Sequence, residues 1–327
     1  AQTLKGAGYA TEVAGKWQLA LLGDDLEHPN RLGFEEYSLF GWHEGPRYHR
    51  PMVWQYGRLR EDLHDAYGPD VYTDFMIDFM SRHREEPFFA FYSMALCHDV
   101  TDDLDEPVPF GPKDRYDSFA ERMAAMDERI GRLVGALDDL GLRERTLVLF
   151  TTDNGSPRRS ILGVEEGEFV YEEVVSRRGD ILVPGGKGQL TDAGTRVPFI
   201  ARWPGVIEAH RVTDDLVDLT DFLPTFAELA NAPLPEGVHL DGQSFLPTLR
   251  GEPGGGRAWS YSAHRGRSWV RDREWKLYDD GQLFDMSNDP TEEQPSLPDA
   301  DSPGAAAARE RLTTVREELG VDDGASP

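Results

Sequence analysis

Residues 146–155 read Thr-Leu-Val-Leu-Phe-Thr-Thr-Asp-Asn-Gly, an apolar run that ends in a polar turn. A short apolar run between turn residues is typical of a strand that is buried on both faces of a parallel sheet. Asp153 and Asn154 then lie at the carboxyl end of that strand, where ligands bind in open α/β sheets. A carboxylate oxygen beside an amide oxygen makes a hard ligand pair that suits Ca²⁺ or Mg²⁺. The stretch therefore predicts an α/β fold with a metal-binding turn at the sheet edge.

A glycine-rich turn follows further along the chain, where residues 185–188 read Gly-Gly-Lys-Gly. Its glycines let the backbone approach a ligand closely, and Lys187 places a point charge beside that ligand. Oxygen ligands for a metal and a lysine on a glycine-rich turn together indicate a site for a tetrahedral oxyanion. Taken alone, each turn also has an ordinary interpretation, because Asp-Asn-Gly is a common turn sequence and a loop lysine is usually solvated.

Two earlier motifs complete an order that resembles the type I sulfatases of the alkaline phosphatase superfamily. Residues 15–18 read Gly-Lys-Trp-Gln, and the Phe-rich run 87–96 is followed by Cys97-His98-Asp99. The glycine-rich turn continues into 191–198, which read Thr-Asp-Ala-Gly-Thr-Arg-Val-Pro. The resemblance spans most of residues 1–290. It implies an α/β fold with a mostly parallel sheet sandwiched by helices and a small antiparallel sheet near the C-terminus.

The resemblance implies a role for each matching position. Lys16 and Lys187 contact the sulfate, and His98 hydrogen-bonds the ester oxygen and protonates the leaving group. Asp153 and Asn154 are two ligands of a single divalent metal, usually Ca²⁺, with Mg²⁺ or Mn²⁺ as alternatives. The intact enzyme would be an arylsulfatase-like sulfuric ester hydrolase that releases sulfate from a small-molecule or glycan sulfate ester.

Two departures from the family pattern bear on activity. Gln18 stands where the family usually has histidine, and a glutamine can orient a hydroxyl but cannot act as a general base. The family's nucleophile is a formylglycine made from a cysteine or serine upstream of the Gly-Lys-Trp motif, where an Asp-Asp pair completes the metal site. Neither feature precedes Lys16, and Cys97, the one cysteine, is interpreted as a small hydrophobe. We therefore expect an N-terminally truncated chain that is inactive alone.

Besides Gln18, there are three weaker candidates for substrate binding, and each also has an ordinary interpretation. Arg158 and Arg159 follow the Asp-Asn-Gly turn and could bind a second anionic group of the substrate. Alternatively, they could form ion pairs with residues 165–166, which read Glu-Glu. His264 lies in a polar loop that could shape a substrate pocket, although a plain surface loop is the commoner case.

The charge balance excludes some classes of partner. The chain carries 34 basic and 60 acidic residues and a formal net charge of −26, so its general surface does not favour nucleic acid or anionic membranes. A sulfate ester is also repelled by this field, so its site must be positive within a Debye length of about 8–10 Å. No apolar run reaches transmembrane length. The compartment and the oligomeric state are not indicated.

Periodicity and turn residues predict the secondary structure. Helices are expected at 70–83, within 114–145, at 221–229 and at 305–319. The second of these has a capping box from Ser118 to Glu121 at its start and Gly141 at its end. Strands are expected at 88–96 and, as a small antiparallel sheet, at 259–262, 268–271, 275–278 and 282–284. Residues 155–184 are expected to form a charged loop. Two helix-then-strand units then place His98 and Asp153 at one edge of a parallel sheet.

The chain is expected to divide into a catalytic core at 1–250, a small β subdomain at 251–298 and a helical, acidic tail at 299–327. Two other functions stay open. A phosphatase or phosphodiesterase of the same superfamily would generally need two metals, and Asn154 favours one. A non-catalytic remnant that binds sulfated ligands is compatible with Gln18 and with the missing nucleophile.

Overall fold

The computed structural model describes residues 1–41, 44–99, 117–253, 255–296 and 302–321. The chain forms two compact units. The first comprises Ala1–Thr146, Ser160–Glu172 and Phe226–Val238, and the second comprises Leu147–Arg159, Glu173–Thr225 and His239–Pro327. The predicted boundaries near 250 and 298 stay predictions. In the described part of the chain, no helix is long and apolar enough to cross a membrane.

A five-stranded sheet forms the centre of the first unit. Its strands are β1 (Ala10–Trp17), β2 (Glu36–Gly41), β3 (Trp54–Gln55), β4 (Arg58–Leu59) and β5 (Phe88–Ser93), in the order β4-β3-β2-β1-β5. β1 runs parallel to both β2 and β5, whereas β3 and β4 continue the sheet in antiparallel fashion. The sheet is therefore mixed, and the ends of β1 and β5 lie side by side.

The described part of this unit contains four complete helices: α1 (Gln2–Gly6), α2 (His28–Arg31), α3 (Gly68–Arg82) and α4 (Phe119–Asp139). α3 packs on β1, β2 and β5, and α4 packs on α3. Asp70 of α3 joins the two helices, because it accepts hydrogen bonds from Arg129 at 3.0 Å and Arg132 at 2.8 Å. The predicted capping box at Ser118 is confirmed, and Gly141 follows the helix with a φ of 70°.

The expectation of a charged loop at 155–184 is wrong. The segment contains β7 (Arg159–Glu165) paired with β8 (Glu168–Glu173), and β9 (Val175–Arg178) paired with β10 (Ile181–Pro184). Glu166 and Gly167 both have positive φ, at 51° and 88°, as a tight two-residue hairpin turn requires. These strands are short and largely solvated, so charged side chains obscure the alternation that identifies a strand.

β6 (Val148–Thr151) of the second unit also differs from expectation. It pairs with β11 (Phe199–Arg202) in a two-stranded antiparallel sheet, and its residues are half-buried rather than buried on both faces. On β11, Ile200 is 59% exposed. β5 belongs to the sheet of β1 in the first unit. The prediction that β5 and β6 share one parallel sheet stays a prediction. An apolar run alone does not specify the partner strand.

The remaining elements are α5 (Asp192–Thr195), a 3-10 turn (Leu219–Asp221), α6 (Phe222–Leu229), α7 (Leu246–Arg250) and a C-terminal antiparallel sheet. That sheet contains β12 (Ser260–His264), β13 (Arg267–Arg271), β14 (Trp275–Tyr278) and β15 (Leu283–Asp285), in chain order. α8 (Pro303–Glu318) packs Ala308 and Leu312 against Val270 and Leu277 of the sheet. The α/β class and the small C-terminal antiparallel sheet are confirmed.

Glu12 on β1 is an unusual residue for the centre of a sheet. Its side chain is fully buried, and neither carboxylate oxygen has a hydrogen-bond partner within the described residues. Burial, and secondarily the charge of Glu36, holds the pKa of Glu12 well above its usual value. The folded state therefore keeps a proton at pH values where the unfolded chain has lost it.

We expect the free energy of unfolding to fall as pH rises above about 4.3, the unfolded glutamate pKa, until Glu12 ionises in the folded state. Glu12→Met should stabilise the protein at pH 7 by about 1–3 kcal/mol, the cost of an uncompensated buried polar group, and by less at pH 4. Urea unfolding between pH 4 and 8 measures this, with Glu85→Met at an exposed position as the control. An equal effect of Glu12→Met at all pH values would contradict the assignment.

Candidate active site

The first unit presents Lys16 at the carboxyl end of β1. Gly15 precedes it with a φ of 97°, and a Cβ atom there would lie 2.1 Å from the backbone oxygen of Ser93 on β5. Only glycine therefore permits this close approach of the two strands just before the lysine. Lys16 is half-buried, and Gln18 is exposed beyond the end of the strand.

His98 follows the adjacent strand β5 and is held by its own backbone. Its N–H donates to the carbonyl oxygen of Ala95 at 3.0 Å, and its carbonyl accepts from the hydroxyl of Tyr48 at 2.6 Å. The imidazole Nδ1 contacts the backbone oxygen of Asp99 and lies 3.7 Å from its carboxylate. A second oxygen of that carboxylate accepts from the N–H of Ile161 at 3.2 Å. These contacts orient the ring through Nδ1.

Cys97 lies beside His98 and has no features of an activated nucleophile. Its sulfur contacts the sulfur atoms of Met123 and Met126, at 2.9 and 3.8 Å. Burial raises the pKa of the Cys97 thiol to about 11, so the thiolate that a nucleophile needs is scarce near neutral pH. The interpretation of Cys97 as a small hydrophobe fits these contacts of a half-buried side chain.

The second unit brings the Asp-Asn-Gly turn and the glycine-rich turn together. The carbonyl oxygen of Ser156 accepts hydrogen bonds from the N–H groups of Gly186 and Lys187, each at 3.0 Å. The N–H of Gly155 donates to the carbonyl of Gly194 at 2.9 Å, and a Cβ atom on Gly155 would lie 1.9 Å from the oxygen of Ala193. Motifs that are separate in the sequence are therefore neighbours in this unit.

The side chains on these turns are accessible to a ligand. Asp153 and Lys187 are exposed, and Asn154 is half-buried. Asp153 and Asn154 offer oxygen donors of the kind that Ca²⁺ takes, but two side chains do not fill its six to eight positions. Among the described residues, no group of three or more His, Cys, Asp or Glu side chains could hold a metal. The oxygen donors of Asp153 and Asn154 therefore suit a hard cation, but they form only part of a complete ligand set.

The three weaker candidates have different surroundings. Arg159 forms an ion pair with Glu173 at 3.1 Å, a partner that the sequence did not indicate, and both side chains are largely exposed. Arg158 is exposed beside it. His264 ends β12 opposite Arg267 at an exposed hairpin tip. Their proposed roles in substrate binding stay predictions.

A buried charge network supports the glycine-rich turn, and the sequence analysis assigned it no role. Asp192 begins α5 with a side chain that is 4% exposed and accepts from Arg271 at 3.0 Å and Lys276 at 3.3 Å. Lys276 is fully buried and also donates to Glu292 at 2.9 Å and to the carbonyl of Leu190 at 2.9 Å. Glu292 in turn accepts from the backbone N–H of Asp192 at 2.6 Å.

Burial lowers the pKa of Lys276, while the charges of Asp192 and Glu292 oppose that shift. The partners in this network lie far apart in the chain, with Arg271 and Asp192 separated by 79 positions. No local sequence pattern reports such a pairing. The C-terminal sheet therefore contributes Arg271 and Lys276 to the support of the segment that carries Lys187.

Comparison with known proteins places the chain in a family. The family model described as Sulfatase matches residues 1–232, and the model described as N-sulphoglucosamine sulphohydrolase, C-terminal, matches residues 186–317. The first match covers more than half of the chain. The chain belongs to the sulfatase family, and the resemblance seen in its motifs is confirmed.

Two curated relatives illustrate the sequence identity and the coverage of these matches. It is 28% identical over 332 residues to the steryl-sulfatase of Mus musculus, covering 77% of this chain and 50% of the relative. It is 30% identical over 270 residues to the N-acetylgalactosamine-6-sulfatase of Homo sapiens, covering 76% and 47%. The chain spans about half the length of these curated relatives.

A solved structure agrees on the fold. The crystal structure of Ps i-CgsB in complex with k-i-k-neocarrahexaose matches with a TM-score of 0.74 and 24% identity, over 98% of this chain and 74% of that chain. At this level of identity the match supports the fold alone.

Proposed function

We propose that the protein is a sulfuric ester hydrolase and that this chain supplies its sulfate-binding and proton-donating side chains. The observation that carries the proposal is the joining of the Asp153 turn to the Lys187 turn through Ser156, inside a chain of the sulfatase family. The substrate is an organic sulfate ester, either a small molecule or a glycan.

Each side chain has a definite part in this reaction. Lys16 and Lys187 neutralise charge on the non-bridging sulfate oxygens, and such electrostatic stabilisation is usually the largest contribution to catalysis. His98, oriented through its contacts with Asp99, donates a proton to the ester oxygen as the bond to sulfur breaks. The sulfur is thereby transferred to the nucleophile, and the alcohol or phenol leaves in neutral form.

A divalent metal is part of the proposal. Asp153 and Asn154 would hold it together with further ligands, and their hard oxygen donors favour Ca²⁺, with Mg²⁺ or Mn²⁺ as alternatives. When bound, the metal would supply positive charge that polarises a sulfate oxygen and offsets the repulsion between an anionic ester and a chain of net charge −26.

The nucleophile is not among the side chains of this sequence. No formylglycine motif occurs in it, and the raised pKa of Cys97 argues against that thiol as a substitute. Gln18 cannot take a proton, so release of sulfate needs a different base. Activity is therefore proposed for a protein that carries a formylglycine segment together with this chain, and this chain alone is expected to be inactive.

Matched 4-nitrophenyl sulfate and 4-nitrophenyl phosphate test the proposal in that protein. We expect kcat/KM for the sulfate ester to exceed that for the phosphate ester, because a single-metal site of this kind is proposed for the less charged sulfate. Faster turnover of the phosphate ester would favour the phosphatase or phosphodiesterase alternative. Binding of sulfated ligands with turnover of neither ester would favour the non-catalytic remnant.

A further inference from the structure

Three arginines converge on the single carboxylate of Asp192. Arg271 contacts one of its oxygens at 3.0 Å, whereas Arg178 and Arg196 lie 3.7 and 3.8 Å from the other oxygen. Arg178 ends β9, and Arg196 directly follows α5. One buried carboxylate is therefore shared by three guanidinium groups as well as by Lys276.

The cluster has more positive than negative charge. Three arginines and Lys276 face the carboxylates of Asp192 and Glu292, and the exposed Asp214 acts more weakly on Arg196. Among the residues that the structure describes, at least one positive charge of this cluster has no matching carboxylate. Burial and then the charge of Arg178 lower the pKa of Arg196, as expected for cations held close together. A local positive excess is notable in a chain of net charge −26.

Arg178 and Arg196 have donors available for a ligand. Their side chains are 33% and 52% exposed, and both distances to Asp192 exceed hydrogen-bonding range. Within the described ranges, the side chain of Arg178 donates one hydrogen bond, to the carbonyl of Pro290 at 3.4 Å. Arg196 makes no side-chain hydrogen bond within the part of the chain that the structure describes. A guanidinium has five N–H donors, so most donors of this pair have no acceptor among the described residues.

The pair also lies beside the candidate active site of the second unit. Arg196 is two residues from Gly194, whose carbonyl accepts from Gly155 next to Asn154. Val174, just before β9, donates to the carbonyl of Arg158 at 3.1 Å and accepts from the N–H of Gly185 at 2.9 Å. Arg178 lies at the other end of β9, and its side chain approaches Asp192, which follows Lys187 in the same segment.

We propose that Arg178 and Arg196 form a second anion subsite that binds a further sulfate or carboxylate group on the same substrate. This inference rests on the proposed function of Lys187 as a sulfate ligand. It narrows the substrate class to sulfated saccharides or other esters with two or more anionic groups. Paired guanidinium groups suit this task, because they form charge-assisted and bidentate hydrogen bonds with such anions.

Calorimetric titration of this chain with inorganic sulfate and with sucrose octasulfate tests the subsite without requiring turnover. Sucrose octasulfate presents sulfate groups in many directions, so a second group can reach the arginines. We expect it to bind wild type at least about tenfold more tightly than inorganic sulfate, as one or two charge-assisted hydrogen bonds provide. Arg178→Gln and Arg196→Gln should each remove most of that preference.

The matched control is Arg177→Gln, since Arg177 is an exposed neighbour on β9 whose side chain points to the opposite face of the strand. It should keep the preference, and a melting curve shows whether each variant is folded. If one arginine variant is unfolded, the other decides. An unchanged preference in a folded variant, or an equal loss for inorganic sulfate and octasulfate, would overturn the second subsite.

Lys187→Met separates the two proposals. If it abolishes binding of inorganic sulfate while wild type shows no preference for the octasulfate, the subsite is refuted and the sulfate site stands. If wild type binds neither anion, the sulfate site itself is refuted, and the subsite that rests on it falls as well.

Discussion

Replacing Asp192 by alanine is expected to destabilise the protein by about 3–5 kcal/mol, the usual cost of breaking a buried ion pair by removing one partner. The change leaves Lys276, which is fully buried, and Arg271, which is 10% exposed, without their shared carboxylate. Glu292 still neutralises Lys276, so Arg271 carries most of the loss. Urea unfolding of the variant and of wild type at pH 7 measures the difference.

Asp192 is also the first residue of α5, so a second substitution is needed to separate its ion pairing from its effect on the start of that helix. Asp192→Ala and Lys276→Met, made singly and together, form a double-mutant cycle, and we expect a coupling of about 1–3 kcal/mol, as contacting residues in one network give. Asp180→Ala, at an exposed turn of the same unit, should change stability by less than about 0.5 kcal/mol. A loss below about 1 kcal/mol for Asp192→Ala would show that the network does not stabilise this unit.

Sequence patterns within a short window correctly predicted the helices and strands that such patterns determine. The capping box at Ser118 and the helical spacing behind it identified α4, and alternation with tight turns identified the C-terminal sheet. Motif order identified the family and singled out the turns of Asp153 and Lys187, which the structure joins through Ser156. Neither motif alone indicates that the two turns are neighbours in space. That expectation came from the family in which both motifs occur.

Other features depend on contacts that no window of sequence contains. The strands between 159 and 184 were missed because their solvated faces carry charges that look like a loop. β6 was expected to have parallel neighbours but pairs with β11 in antiparallel fashion, since an apolar run does not say which strand lies beside it. Glu12 and Asp192 were not singled out, because their importance comes from burial and from partners distant in the chain.

Lys187→Met should lower kcat/KM for a sulfate ester by about 10²–10³-fold in a protein that carries the nucleophile, as loss of one preorganised charge-stabilising group does. The exposed side chain makes no contribution to a buried core, so stability should change little. The turn itself is held by backbone hydrogen bonds to Ser156, which the substitution leaves in place. Because Lys187 is proposed to contact the sulfate group both in the bound ester and during its transfer, the loss is expected in kcat/KM.

The central claim is that Lys187 acts on a sulfate group that the protein hydrolyses. The most direct test is kcat/KM for 4-nitrophenyl sulfate in wild type, Lys187→Met and Lys5→Met, the last at a half-exposed lysine that pairs with Glu35 on the surface. We predict a loss of at least about 10²-fold for Lys187→Met and wild-type turnover for Lys5→Met. A folded Lys187→Met variant with turnover within about threefold of wild type, less than 1 kcal/mol in the barrier, would contradict the account.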